Sequence, residues 1–293
     1  MSRPTAAVER DTSASRIARR FEELAGRGEL GLIAYLTAGD PSLDATEKIV
    51  LAAAEAGADV IELGVPFSDP LADGPMIQRA SERALKSGTT LAGIFALVAR
   101  VRRKSDVPIV IFSYYNPILQ MGLERFANEA AEAGVDGVLA TDLTPEEAGE
   151  YRSILKARGL DTIFLAAPTS TDARLRRIAV ATSGFLYLIS RTGVTGTRDA
   201  LPEDLPALVR RARGATNLPI AVGFGISRPT HVSVLGGIAD AAVVGSAIVA
   251  EIEKAATPEA AAGAVANLIH TLKQAGKSGV SRRGIPDGSE NPS

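Results

Sequence analysis

The chain has 293 residues, 46% of them hydrophobic and 23% charged, which is long enough for one large barrel or two smaller globular domains. Its formal net charge of -2 argues against nucleic acid as a main partner, because binding a phosphate backbone needs a basic surface. With no cysteine and only two histidines, His231 and His270, disulfides and thiolate chemistry are excluded, no metal site is expected, and the composition fits a reducing cytoplasm.

Residues 1–13 are polar and read as a disordered segment. They lack the apolar core of a secretory signal, and Glu9 and Asp11 argue against a transit peptide. No run of eighteen apolar residues occurs, so no membrane span is expected. Residues 14–27 predict a capping helix. From there to residue 275, apolar runs rich in valine and isoleucine alternate with alanine-rich segments of helical period. The runs are LIAYLT (32–37), DVIEL (59–63), PIVIF (108–112), GVLA (137–140), TIFLA (162–166), FLYLI (185–189), PIAV (219–222) and AAVV (241–244). Stretches such as SLDATEKIVLAAAEAG and TDARLRRIAVATSG open on a Ser or Thr cap and close on glycine. Near-continuous apolar strands separated by helices imply a parallel sheet covered by helices. Eight such units in about 230 residues suit an α/β fold of the (β/α)₈ TIM-barrel type, here a catalytic domain over 14–275. A doubly wound open sheet would carry G-x-G-x-x-G after its first strand, where this chain has TAGDP. Extra length after the second strand holds two helical segments, DGPMIQRASERALKSG and TLAGIFALVARVRRK. Residues 276–293, low in apolar content, read as a disordered tail.

Barrel enzymes place their chemistry at the C-terminal ends of strands. The second strand ends at Glu62, and its loop, GVPFSDPLADGP, carries Asp69 and Asp73. A carboxylate that interrupts an apolar strand sits in desolvated surroundings that raise its pKa towards neutrality, which suits a general acid and base. The alternative is a carboxylate paired with an arginine inside the barrel. Asp73 lies in an A-D-G turn and Asp69 between Ser68 and Pro70, so both equally fit turn formation. Strands six, seven and eight exit through SRTGVTG, GFGIS and GSA. Glycine lets backbone amides approach an anion, and the last two loops are the usual phosphate-binding place on this fold. Candidate phosphate contacts are Gly196, Gly225, Gly245 and Ser246, unless these glycines only turn the chain. No lysine ends a strand, which disfavours a Schiff-base aldolase.

The stretch ELGVPFSDPLADGPMIQRA closely resembles the signature of the tryptophan synthase alpha subunit family. AYLTAGDP, SYYNPILQMG, GVDGVLATDL, LAAPTS, LYLISRTGVTG, VGFGIS and VVGSAIV follow in the family's order. The resemblance implies a lyase that converts indole-3-glycerol phosphate to indole and glyceraldehyde 3-phosphate. By resemblance, Glu62 protonates the indole carbon C3 and takes the glycerol hydroxyl proton, while Asp73 accepts a hydrogen bond from the indole N–H. Tyr35, Phe112, Tyr114, Leu139 and Phe224 match positions that line the indole pocket, Tyr187 lies near the catalytic glutamate, and Thr195 links the 190–200 loop to it. The resemblance also implies a beta subunit in an alpha2beta2 heterotetramer, with pyridoxal phosphate on that partner and no cofactor on this chain. Asp69 and Pro70 would face the partner. The chain departs from the family at Thr144, where D-L-P is common, and mildly at Tyr35, where phenylalanine is frequent. A stand-alone lyase releasing free indole is the alternative, and a non-catalytic regulatory subunit a weaker one.

Overall fold

Nine parallel strands form one sheet, in the order β5-β4-β3-β2-β1-β9-β8-β7-β6. The computed structural model describes residues 14–190, 201–223 and 225–279. Thr195, Gly196 and Phe224 lie outside the described residues, as do residues 1–13 and 280–293. The strands are β1 (Gly31–Thr37), β2 (Val60–Gly64), β3 (Ile109–Ser113), β4 (Gly137–Ala140), β5 (Asp161–Ile163), β6 (Leu165–Ala166), β7 (Leu186–Ile189), β8 (Ile220–Gly223) and β9 (Ala241–Val244). Twelve helices are described: α1 (Arg16–Arg27), α2 (Leu43–Glu55), α3 (Pro75–Lys86), α4 (Leu91–Arg102), α5 (Tyr115–Met121), α6 (Leu123–Ala133), α7 (Gly149–Ala157), α8 (Asp172–Ala181), α9 (Leu205–Arg213), α10 (Pro229–Leu235), α11 (Ser246–Lys254) and α12 (Pro258–Gly279).

The two ends of the strand order are consecutive in the chain. The fifth predicted strand, TIFLA, is broken at Phe164: its first half pairs with β4 and its second with β7. The polypeptide therefore closes the ring through one residue, and the fold is the expected TIM barrel with its fifth strand shared between two neighbours.

Alternation along each strand sorts side chains into two cores. Ile33, Val60, Val110, Leu139, Ile163, Tyr187, Ala221 and Val243 fill the barrel interior. Their outward neighbours, such as Leu32, Leu36, Ile61, Leu63, Ile109 and Val138, pack against the helices. Both faces are buried, which is why the strands read as continuous apolar runs. Helix α1, capped by Ser15, closes the bottom: Ile17, Phe21 and Leu24 join the interior core, and the Phe21 and Phe185 rings lie 5.7 Å apart. Arg16 latches it to Asp136 at 3.0 Å.

One device recurs at the strand starts. Asp59, Asp136 and Asp240 accept the backbone N–H of Leu32, Ile109 and Ile220 at 2.7, 2.8 and 2.7 Å. Each bond ties a strand to the aspartate just ahead of the next strand. At the other terminus, residues 276–279 are helical and not part of a disordered tail. Gly276 packs beside Val232 and Leu30, and the Ser233 hydroxyl donates to the Ala275 carbonyl at 3.0 Å, so the last turn of α12 is anchored.

Candidate active site

Strand β2 delivers Glu62 to the interior face, in register with Tyr35 on one side and Val110 on the other. It is fully buried, and among the described residues neither carboxylate oxygen has a hydrogen-bond partner. The paired-arginine alternative therefore falls. Burial alone pushes the carboxyl up to about 8.

Asp73 sits two residues ahead of α3. The loop that carries it is held by Tyr114, whose hydroxyl donates to Asp73 Oδ2 at 3.3 Å and accepts the Ala72 N–H at 2.9 Å. Phe67 packs on the Tyr114 ring with centroids 5.1 Å apart. Gln78 Nε2 donates to the Asp73 carbonyl at 2.9 Å, fixing the turn into α3. Burial pushes the Asp73 carboxyl up to about 6, against the lowering effect of the Tyr114 bond. Glu62 therefore keeps its proton to higher pH than Asp73 does. Burial, then the Asp73 charge, push Tyr114 up to about 12.

A cavity of about 360 Å³ opens at the C-terminal ends of the strands. Its lining includes the aromatic residues Tyr35, Phe112 and Tyr187 with Asp73, and the turn residues Gly225, Gly245 and Ser246. The Tyr35 and Phe112 rings meet edge to face, 5.3 Å apart. Leu139 lies buried beside Phe112 in the barrel interior, and Tyr114 stands behind Asp73 as its support. Glu62 acts electrostatically on both Tyr35 and Tyr187 and lies behind this lining rather than in it.

Two strand-end glycines make room for those tyrosines. A Cβ on Gly64 would lie 2.2 Å from the Tyr35 hydroxyl, and one on Gly223 would lie 2.3 Å from that of Tyr187. Gly64→Ala is expected to cost about 1–3 kcal/mol, the usual range for overpacking, and to push Tyr35 into the cavity. The urea midpoint and substrate affinity should both fall.

The turn residues of this lining suit an anion. Gly245 precedes α11, and its carbonyl accepts the Ile248 and Val249 N–H groups at 2.9 and 3.0 Å. The amides of Ser246 and Ala247 begin the helix and point out of its first turn. Gly225 has φ +91°, a left-handed conformation that favours glycine. Ser227 also lines the cavity, and its buried hydroxyl has no partner among the described residues. Its N–H donates to His231 Nδ1 at 3.3 Å, on a buried face of α10. Neither residue was among the expected site residues. Ser227 is signalled only by its place in GFGIS, two residues beyond Gly225; nothing in the sequence marks His231. No cluster of three potential metal ligands occurs among the described residues.

Asp69 is exposed on the outer rim, where the Ser68 hydroxyl donates to its Oδ2 at 2.6 Å. Pro70 is half-buried, and the next residue, Leu71, is 89% exposed. Thr144, the departure after the fourth strand, donates to Glu147 Oε2 at 2.8 Å.

A sequence profile described as Tryptophan synthase alpha chain matches residues 21–277. The chain belongs to that family. The alpha chain of Geobacter sulfurreducens is 50% identical over 261 residues, covering 89% of this chain and 98% of that one. That of Citrifermentans bemidjiense is 55% identical over 240 residues, covering 82% and 90%. Among solved structures, Mycobacterium tuberculosis tryptophan synthase superposes with a TM-score of 0.83 at 34% identity, covering 90% of this chain and 99% of that one. A chain of the Pyrococcus furiosus tryptophan synthase complex gives 0.77 at 42% identity, covering 84% and 97%. As a member of this family, the chain places its acidic loop and its glycine turns around one cavity.

Proposed function

We propose that the protein is the lyase subunit of tryptophan biosynthesis, cleaving indole-3-glycerol phosphate to indole and glyceraldehyde 3-phosphate. The observation that carries this reading is one cavity lined by Asp73, three aromatic rings and two glycine turns, with the buried, unpartnered Glu62 carboxyl close behind its wall. The phosphate rests on the Gly225 turn and the α11 start, and the indole lies between Tyr35, Phe112 and Tyr187. Glu62, whose carboxyl must turn from beneath the wall to reach substrate, gives its proton to indole C3. Positive charge then spreads to the ring nitrogen, whose N–H donates to ionised Asp73. The Glu62 carboxylate next takes the proton of the hydroxyl on the adjoining carbon. The carbon–carbon bond breaks, its electrons return to the ring, and the aldehyde forms. Glu62 ends protonated, ready for another turnover.

The rim at Asp69, Pro70 and exposed Leu71 supports a partner-facing role, and we assign it to a beta subunit in an alpha2beta2 assembly. Condensation of indole with serine on pyridoxal phosphate we assign to that partner; among the described residues no lysine lines the cavity. A cysteine-free chain fits the cytoplasm.

The test is indole formation from indole-3-glycerol phosphate by the full chain, alone and mixed with the beta subunit. A rate that rises on mixing is expected. A rate already high and indifferent to the partner points to a stand-alone lyase, and no indole in either case overturns the reading.

A further inference from the structure

Two helices start at the cavity: α3, two residues after Asp73, and α11, with Ser246. An ion cluster joins them farther along, with Arg79 itself on the cavity wall. Arg79 Nε and Nη2 donate to the two oxygens of Glu253 at 2.8 and 2.9 Å, and Arg83 Nη1 donates to the same carboxylate at 2.8 Å. The rest of the Arg83 fork, Nε and Nη2, grips both oxygens of Asp40 at 2.8 Å each. Asp40 is 1% exposed and lies in the turn after β1, the strand that carries Tyr35. Arg79, held chiefly by this bond, keeps Glu253 ionised down to about 2.

Isolated surface pairs contribute little. This cluster differs in being bidentate twice over and charge-balanced, with two guanidiniums on two carboxylates, one of them, Asp40, buried and the other, Glu253, exposed. Helices are stiff rods rising 1.5 Å per residue, so a contact one or two turns inside each helix sets where the two starts lie. We propose that the Asp40–Arg83–Glu253–Arg79 cluster is a positioning device that fixes the separation between Asp73, which faces the indole, and the Ser246 end, which faces the phosphate. The inference rests on the proposed lyase reading. It makes Arg83 and Glu253 positioning residues that touch no reacting atom.

A spacing device has a signature that a merely stabilising one lacks. A ligand reaching from one end to the other is sensitive to the separation, because its two halves bind as one intramolecular event. A ligand filling only one end is not. The experiment compares the full chain with its Glu253→Gln variant, in complex with the beta subunit. It measures kcat and KM for indole-3-glycerol phosphate, with inhibition constants for three probes. Indole-3-propanol phosphate spans both ends, whereas indole and glycerol 3-phosphate each fill one.

We expect KM and the constant for the spanning probe to rise roughly tenfold, with both half-probes within about twofold of the parent. Arg83→Lys, which keeps the charge and loses the fork, should show the same pattern more weakly and covers the case in which Glu253→Gln does not fold. All three constants unchanged, or all three weakened in parallel with a lower melting temperature, overturn the proposal. An unsubstituted chain that releases no indole overturns the lyase reading itself, whereas an active parent with an indifferent variant overturns only the positioning role.

Discussion

Replacing Glu62 by glutamine is expected to abolish indole release while leaving substrate binding largely intact, a loss of at least ~10²–10⁴ in kcat. Glutamine keeps the shape of the side chain but can neither give a proton to carbon nor take one from a hydroxyl. Turnover of the variant near the parent rate would sink the acid–base assignment. The same substitution has a second, opposite consequence. Because the buried carboxyl is raised from 4.5 to about 8, the folded chain holds that proton more tightly than the unfolded one. The stability it contributes is fully present below about 4.5 and is lost as pH rises through about 8. The glutamine variant has no such titration, so its urea midpoint should gain on the parent's between pH 5 and pH 9. Equal pH dependence in the two proteins would mean that Glu62 is not desolvated as its burial requires.

Asp73→Asn is expected to cripple turnover on the scale of losing one electrostatic stabiliser, about 10²-fold or more. Asparagine can still accept the indole N–H bond through its carbonyl oxygen, but it brings no negative charge to the cation that forms on the ring. The parent should show a bell-shaped kcat/KM profile, a quantity that reports the free enzyme. Its acid limb lies near 6, where ionised Asp73 becomes protonated, and its basic limb near 8, where Glu62 loses the proton it must donate. In Asp73→Asn the acid limb should disappear and the basic limb remain. A variant that keeps both the rate and the acid limb would return Asp73 to the role of turn former.

The barrel was legible in the sequence because strands buried on both faces leave an unmistakable run of valines and isoleucines between glycine-capped helices. Glu62 was legible for a related reason: a carboxylate in such a run has no solvent to face. The break at Phe164 was not, since TIFLA is apolar throughout and only closure of the ring divides it between two neighbours. Asp73 and Asp69 looked alike as turn residues. Their difference arises from Tyr114, some forty residues away, which buries one while the other stays exposed. The Arg79 and Arg83 contacts with Glu253 lie still farther off, across 174 and 170 positions. No local pattern encodes such pairs; packing of α3 on α11 brings them together.

Helix α1, with Ile17, Phe21 and Leu24 seated under the innermost core residues, makes the barrel a blind vessel. Among the described residues, the cavity's doorway lies at the opposite end, beside the acidic loop with Asp69, Pro70 and Leu71 on its outer edge. Under the proposed reading, a partner docked at that edge occupies the threshold itself. On that reading, receiving indole and keeping it from solvent become a single geometric act.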